Sequence, residues 1–305
     1  MLTLTFLGTG AACPTVDRNV SSLALAREGE MILFDCGEGT QRQMMRFGVG
    51  FSFREIFFTH YHADHLIGVI GLFRTMGLLD RQEGVTLYGP RGAQRILGHA
   101  LAVGIERTRF AVEIVELKPG DRIRRDEYDL TVFETDHRPD TVGYAIVEHD
   151  RLGRFDPERA RALGVPEGPF WGQIHRGKTV TLPDGRRIGP EEIVGAPRPG
   201  RTVVYSGDTR PHRAVIDAAR GADLLIHEAT FGEEERVRAI ETGHSTARDA
   251  AWVAQEAGVK RLVLTHISAR YSREAPELLA EARALFPDTD VARDGMVVEV
   301  PFREL

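Results

Sequence analysis

Three histidines and an aspartate fall within six residues, His60-Tyr-His62-Ala-Asp64-His65, between an apolar run and a helical pattern. Neutral imidazoles and carboxylates without sulfur suit zinc, manganese or iron at a hydrolytic site. His60 and His62, two apart in an extended turn, can aim at one ion. Asp64 and His65, on the first helical turn, can aim at a second beside it. This segment cannot complete two coordination shells alone. Three further candidates each follow a strand-like run: His137 in Thr135-Asp-His-Arg-Pro139, Asp208 in Ser206-Gly-Asp-Thr209 and His266 in Leu264-Thr-His-Ile-Ser268. If Asp208 bridges, each ion gains three protein groups and keeps room for water.

The elements that must position these groups are legible in outline. Apolar alternation between turn residues predicts strands over 2–7, 22–27, 31–35, 53–58, 85–88, 112–117, 129–134 and 142–148, with helices over 37–47, 66–79 and 93–103. The last third predicts strands over 201–205, 223–227, 261–265 and 296–300, with helices over 213–220, 245–257 and 274–286. Ser245 reads as an N-cap, and Gly258 as the glycine that closes the same helix. Ile56-Phe-Phe-Thr-His60 and Leu262-Val-Leu-Thr-His266 are both apolar strands ending in Thr-His, and Leu33-Phe-Asp35 and Val204-Tyr-Ser-Gly-Asp208 both end at an acid. Two αβ halves whose strand ends converge on one edge are expected, and such an edge is a natural place for a site.

Composition excludes several classes. At 305 residues, 42% hydrophobic and 28% charged, the chain can bury a core and is neither disordered nor fibrous. Two cysteines, Cys13 and Cys36, are too few for a disulfide framework or a thiolate cage, which suits a reducing cytoplasm. The opening residues read as a strand rather than a signal peptide, and no run approaches a membrane span. The net charge of −6 argues against a nucleic-acid partner, but it is unevenly spread. Segment 151–200 carries nine Lys and Arg against six Asp and Glu, a net of +3, so the remainder carries −9. That segment is rich in Gly and Pro, as in Gly164-Val-Pro-Glu-Gly-Pro-Phe-Trp-Gly172. It reads as an inserted, protruding arm with little core-forming capacity, in which Phe170 and Trp171 pack rather than stack on a ligand.

The set His60, His62, Asp64, His65, His137, Asp208 and His266 resembles the metallo-β-lactamase superfamily in its dinuclear form. His227-Glu-Ala-Thr230, His244-Ser-Thr246, Phe6-Leu-Gly-Thr-Gly10, Phe34-Asp-Cys-Gly-Glu-Gly-Thr40 and His266-Ile-Ser-Ala-Arg-Tyr271 are similar, more closely, to the ribonuclease Z family of tRNA 3′ endonucleases. The resemblance covers nearly the whole chain. It implies a four-layer αββα fold over 1–305, with 151–200 as a tRNA-binding arm. It implies one zinc on His60, His62 and His137 and a second on Asp64, His65 and His266, with Asp208 bridging; manganese or another divalent ion is the alternative. The implied activity is removal of the 3′ trailer of precursor tRNA by a hydroxide generated at the metals, leaving a 3′-hydroxyl on the tRNA and a 5′-phosphate on the trailer. Asp64 is then also the proton acceptor, and Glu228 with His244 delivers a proton to the leaving group. A cytoplasmic homodimer without membrane attachment follows from the same likeness.

Ser268 and Arg270 are candidate phosphate contacts beside His266, since a guanidinium grips two phosphate oxygens. Pro14-Thr-Val-Asp-Arg-Asn19 corresponds to a family loop written Pro-x-Lys-x-Arg-Asn. Arg18 and Asn19 remain as candidate contacts of the tRNA 3′ end, while Val16 stands where the lysine would be, which bears on cleavage position and sensitivity to CCA. The metal motif alone also fits a superfamily phosphodiesterase or other hydrolase with a small substrate. The His227-Glu-Ala-Thr230 and His244-Ser-Thr246 pair and the arm weigh against that alternative, whereas Asp64, Glu228 and His244 weigh against a metal-stabilised RNA binder without turnover.

Overall fold

A computed structural model describes residues 1–104, 108–271 and 273–303. The chain divides into two compact units, Met1–Val147 with Thr202–Pro301, and Glu148–Arg201 with Phe302 and Arg303.

The first unit begins with β1 (Leu2–Gly8), β2 (Ser22–Arg27), β3 (Glu30–Phe34), α1 (Thr40–Arg46), β4 (Glu55–Phe57), α2 (Ala63–Leu66), α3 (Gly68–Leu78), β5 (Val85–Gly89), α4 (Ala93–Leu101) and β6 (Val112–Glu116). It continues with β7 (Arg122–Arg124), β8 (Tyr128–Glu134) and β9 (Val142–Glu148). The second unit holds α5 (Pro157–Ala162), α6 (Pro169–His175), β10 (Val180–Thr181) and β11 (Arg187–Ile188). The first unit resumes with β12 (Thr202–Tyr205), α7 (Arg213–Ala218), β13 (Leu224–Glu228), α8 (Arg236–Thr242), α9 (Ala247–Ala257), β14 (Leu262–Thr265), α10 (Pro276–Arg283), β15 (Thr289–Val291) and β16 (Val297–Glu299).

Two seven-stranded sheets result, ordered β16-β1-β2-β3-β4-β5-β6 and β15-β14-β13-β12-β9-β8-β7. Strands β3 to β6 run parallel, as do β12 to β15, so each sheet gathers several C-terminal strand ends along one edge. Alternation explains the layering. Leu2, Leu4 and Phe6 of β1 and Val203 and Tyr205 of β12 bury between the sheets with Phe34, Phe57 and Tyr144. Their neighbours Val204, Leu225 and Leu264 face outward under α7, α9 and α10, and Leu33, Ile56 and Leu87 lie under α1, α3 and α4. Helix, sheet, sheet and helix stack as the αββα arrangement.

Some local expectations change. The helix expected over 66–79 starts earlier and breaks at Ile67 into α2 and α3. The break seats Gly68 against Cys36 and Gly37: its N–H donates to Cys36 O at 2.9 Å, and a Cβ there would lie 1.8 Å from Gly37 O. The N-cap of α9 is Thr246, not Ser245. Thr246 accepts from Asp249 N while the Asp249 carboxylate accepts from Thr246 N, a reciprocal cap. Ser245 Oγ instead donates to Thr209 O at 2.6 Å. Gly258 closes the helix at φ 65° as expected. The short strands β7 and β15 were not foreseen, because three residues carry too little alternation to register.

Segment 151–200 has more core than its sequence suggested. Ala160, Val165, Ile174, Val180, Leu182, Ile188 and Ile193 form a buried cluster of their own. These residues are scattered singly between turns, so no periodic run announces them. Trp171 packs as expected: its Nε1 donates to Val165 O at 3.1 Å, and its ring lies 5.1 Å from that of Phe155. Glu148 and Arg201 form a buried pair at 2.7 Å, and the Phe302 ring lies between the guanidiniums of Arg151 and Arg201.

Candidate metal centre

The seven residues singled out as ligands meet at the C-terminal strand ends of the first unit. His60, His62, Asp64 and His65 follow β4, His137 follows β8, Asp208 follows β12 and His266 follows β14. Gly207 (φ 61°) allows the Asp208 turn, since a Cβ there would meet the Thr59 side chain at 2.8 Å. The residues form two nests, His60/His62/His137/Asp208 and Asp64/His65/His266. Asp208 Oδ2 lies 3.6 Å from His60 Nε2, 3.4 Å from His65 Nε2, 3.9 Å from His137 Nε2 and 3.4 Å from His266 Nε2, a position between the two nests.

Hydrogen bonds on the far side of each ring fix the tautomers. Thr59 Oγ1 gives its proton to Asp35 (3.0 Å) and therefore receives one from His60 Nδ1 at 3.0 Å. His137 Nδ1 donates to Gly243 O at 2.8 Å. Thr230 Oγ1 donates to Glu228 (2.8 Å) and therefore receives from His266 Nδ1 at 2.8 Å. His65 Nδ1 donates to Asp35 Oδ2 at 2.9 Å. His60 and His137 thus turn a bare Nε2 lone pair toward the centre, as a metal ligand requires, while the Nε2 atoms of His65 and His266 face the Asp208 and Asp64 carboxylate oxygens at 3.4 and 3.3 Å. His62 Nδ1 sits 3.0 Å from His60 Nε2 and 3.1 Å from His137 Nε2, and one proton on it can serve only one of them. His65 Nε2 and Asp208 Oδ1 are buried without a hydrogen-bond partner. Converging lone pairs and orphaned buried atoms fit a divalent cation bound by nitrogen and oxygen.

The electrostatics agree. Burial and the neighbouring His65 hold His60 well below the ordinary histidine range, and burial lowers His62 and His137 as well, so all three are neutral, as metal binding would require. Burial resists charge on Asp208, but the surrounding imidazoles outweigh it and keep the carboxylate ionised. Asp64 is likewise held below the usual carboxylate range, burial being overcome by His266 and His65, and its Oδ2 accepts from Ala12 N at 2.8 Å. His65 departs from the other rings. Burial disfavours its charge, yet Asp208 and Asp35 raise it; a metal cation there would balance the same carboxylates and leave the imidazole neutral.

His244 stands at the rim, its ring 4.6 Å from that of His137 and 5.2 Å from that of His266. Its Nδ1 donates to Glu228 Oε1 at 2.8 Å. Burial alone would lower His244, but Glu228 overrides it and lifts the group to about 9. Glu228 is itself held by Thr209 N, Thr230 N and Thr230 Oγ1. One carboxylate therefore orients both His244 and, through Thr230, His266.

The remaining candidates sit farther out. Ser268 and Arg270 occupy the turn after His266, where Arg270 Nη1 pairs with Glu235 at 3.4 Å. Arg18 is buried: Nη1 donates to Thr9 Oγ1 and Ala292 O, and Nη2 to Arg273 O. Its guanidinium builds the loop over 14–19 from within. Asn19 is tied down by Asp294 Oδ2 and Glu38 O, whereas Val16 is fully exposed at the tip. Asp35 and Thr59 went unnoticed as site residues. Asp35 is fully buried at φ 55° and also accepts from Tyr205 Oη at 2.9 Å. Its signal was the strand ending at an acid, Leu33-Phe-Asp35.

This fold, with imidazole and carboxylate groups converging at its strand ends, defines a metal-dependent hydrolase of the metallo-β-lactamase class. Residues 192–267 match the beta-lactamase superfamily domain, and residues 2–153 match a family described as anti-Pycsar protein Apyc1. The chain is 55% identical to ribonuclease Z of Gemmatimonas aurantiaca, covering 99% of this chain and 97% of that one. It is 53% identical to ribonuclease Z of Myxococcus xanthus, covering 100% and 99%. The crystal structure of human tRNase Z, short form, superposes with a TM-score of 0.70 at 28% identity, covering 98% of this chain and 100% of that one. The chain belongs to the ribonuclease Z family. Both the fold and the family that the motifs suggested are thereby confirmed. Among the described residues no helix is long and apolar enough to cross a membrane.

Proposed function

We propose that the chain is an endoribonuclease that removes the 3′ trailer of precursor tRNA, leaving a 3′-hydroxyl on the tRNA and a 5′-phosphate on the trailer. The observation that carries this reading is the Glu228–His244 pair at the rim of the ligand nests, in a chain matching ribonuclease Z over its full length. Two zinc ions, or manganese in their place, held by His60, His62 and His137 on one side and Asp64, His65 and His266 on the other with Asp208 between, would acidify water and neutralise phosphate oxygens. Asp64, ionised and fixed by Ala12 N–H, is placed to take the proton of the attacking water. His244 gives its Nδ1–H to Glu228, which frees Nε2 to protonate the ribose 3′-oxygen as it leaves. Ser268 and Arg270 meet substrate phosphate, and the loop built on Arg18 and Asn19 meets the tRNA 3′ end. Segment 151–200, with its net charge of +3, grips tRNA in a cytoplasmic homodimer where one subunit serves the other's site. The test is a labelled precursor tRNA, with and without encoded CCA, incubated in zinc or manganese and mapped by product length. One cut near the end of the tRNA body is expected, and no cleavage in any metal would sink the reading.

A further inference from the structure

Beside His137 a solvent-open cleft of about 460 Å³ runs between residues that follow β5, β6, β8 and β12. His137 belongs to both places, so whatever fills the cleft adjoins the metal nests. Its volume falls in the range of about 300–1,000 Å³ usual for small-ligand sites. Pro119 and Pro139, exposed, with the buried Pro90 behind, add rigid apolar patches to its otherwise mixed polar lining. Arg91, Lys118 and Arg138 are exposed on its rim, and among the described residues their side chains have no hydrogen-bonded or ionic partner. Arg210 differs, being clamped by Asp136 at 2.7 and 3.1 Å, which also spends the Asp136 charge. Glu134 and Asp140 are exposed on the same rim.

Apolar patches, three uncommitted cations and two uncommitted carboxylates do not suit a bare phosphate, which the carboxylates would repel. They suit a ribonucleotide. The cations meet its phosphate, a proline face takes the base or sugar, and a carboxylate accepts from the 2′-hydroxyl or a base amine. We propose that this cleft seats one nucleotide of the RNA chain next to the scissile phosphate, with Arg91, Lys118 and Arg138 on its phosphate. The proposal rests on the reading of the chain as an RNA endonuclease and extends it to how the strand is held beside the cut.

The experiment uses the full-length, metal-loaded enzyme and an Arg91→Ala/Lys118→Ala variant. For precursor tRNA with a trailer of several nucleotides, kcat/KM falls about tenfold, mainly through KM, and the salt dependence becomes shallower by about one to two charges. Hydrolysis of bis(p-nitrophenyl) phosphate and the thermal midpoint stay as in the parent. Fluorescence anisotropy with two RNAs locates the nucleotide. Weaker binding of a 5′-phosphorylated trailer oligoribonucleotide places it on the trailer side, and weaker binding of mature tRNA places it on the tRNA side. Unchanged kcat/KM, salt slope and affinities overturn the proposal, as does an equal loss on the small diester, which would mean damage to the metal nests. Parent enzyme that cuts no precursor tRNA fails the functional reading, whereas a parent that cuts and an indifferent variant fail the cleft alone.

Discussion

At the scale of residues, the site works by what stands behind each ligand as much as by the ligands. Asp35 receives His65 Nδ1–H, Thr59 N–H and Thr59 Oγ1–H, and so sets two imidazoles at once. Asp35→Asn keeps the volume but removes the charge that holds the His65 tautomer. It should weaken metal affinity about 10- to 100-fold, measured by competition with a chromophoric chelator; unchanged affinity would mean that Asp35 only braces the strand. His244→Asn separates leaving-group chemistry from metal chemistry. It should lower kcat on precursor tRNA by about 10²- to 10⁴-fold, the usual value of general-acid help. Its effect on a p-nitrophenyl diester should be under tenfold, because p-nitrophenolate departs without a proton. Equal losses on both substrates would remove His244 from that role.

At the scale of elements, legibility followed the length of the pattern. The convergence of the candidate ligands was readable because His60-x-His62-x-Asp64-His65 is dense and because His137, Asp208 and His266 each close an apolar strand. Asp35 was not, since a lone acid after a strand looks like any turn residue and its partners His65 and Tyr205 lie 30 and 170 positions away. The α9 cap was misplaced by one residue because Ser245 and Thr246 are both good caps, and only the Asp249 reciprocity decides between them. Thr246→Ala should cost about 1 kcal/mol in chemical denaturation, against a far smaller effect if Ser245 were the cap. The core of segment 151–200 escaped notice for the opposite reason to the ligands: its seven buried apolar residues are spread too thinly to form a period.

At the scale of the molecule, the chain averages two unlike units, one strongly acidic and one basic, and the average concealed the basic one. Deleting residues 152–196 should abolish cleavage of precursor tRNA and leave hydrolysis of bis(p-nitrophenyl) phosphate within a few-fold of the parent. Loss of both activities would instead make the segment part of the catalytic body. The placement of the ligands carries a mechanical consequence. His60, His62, Asp64 and His65 hang from the first sheet, whereas His137, Asp208 and His266 hang from the second. A cation bound among them would be a rivet through both plates of the sandwich, joining positions more than 200 residues apart. Stripping the metal should let the plates part at that edge first, so amide exchange should quicken around Thr59 and Thr265 while the far ends of the same strands stay protected.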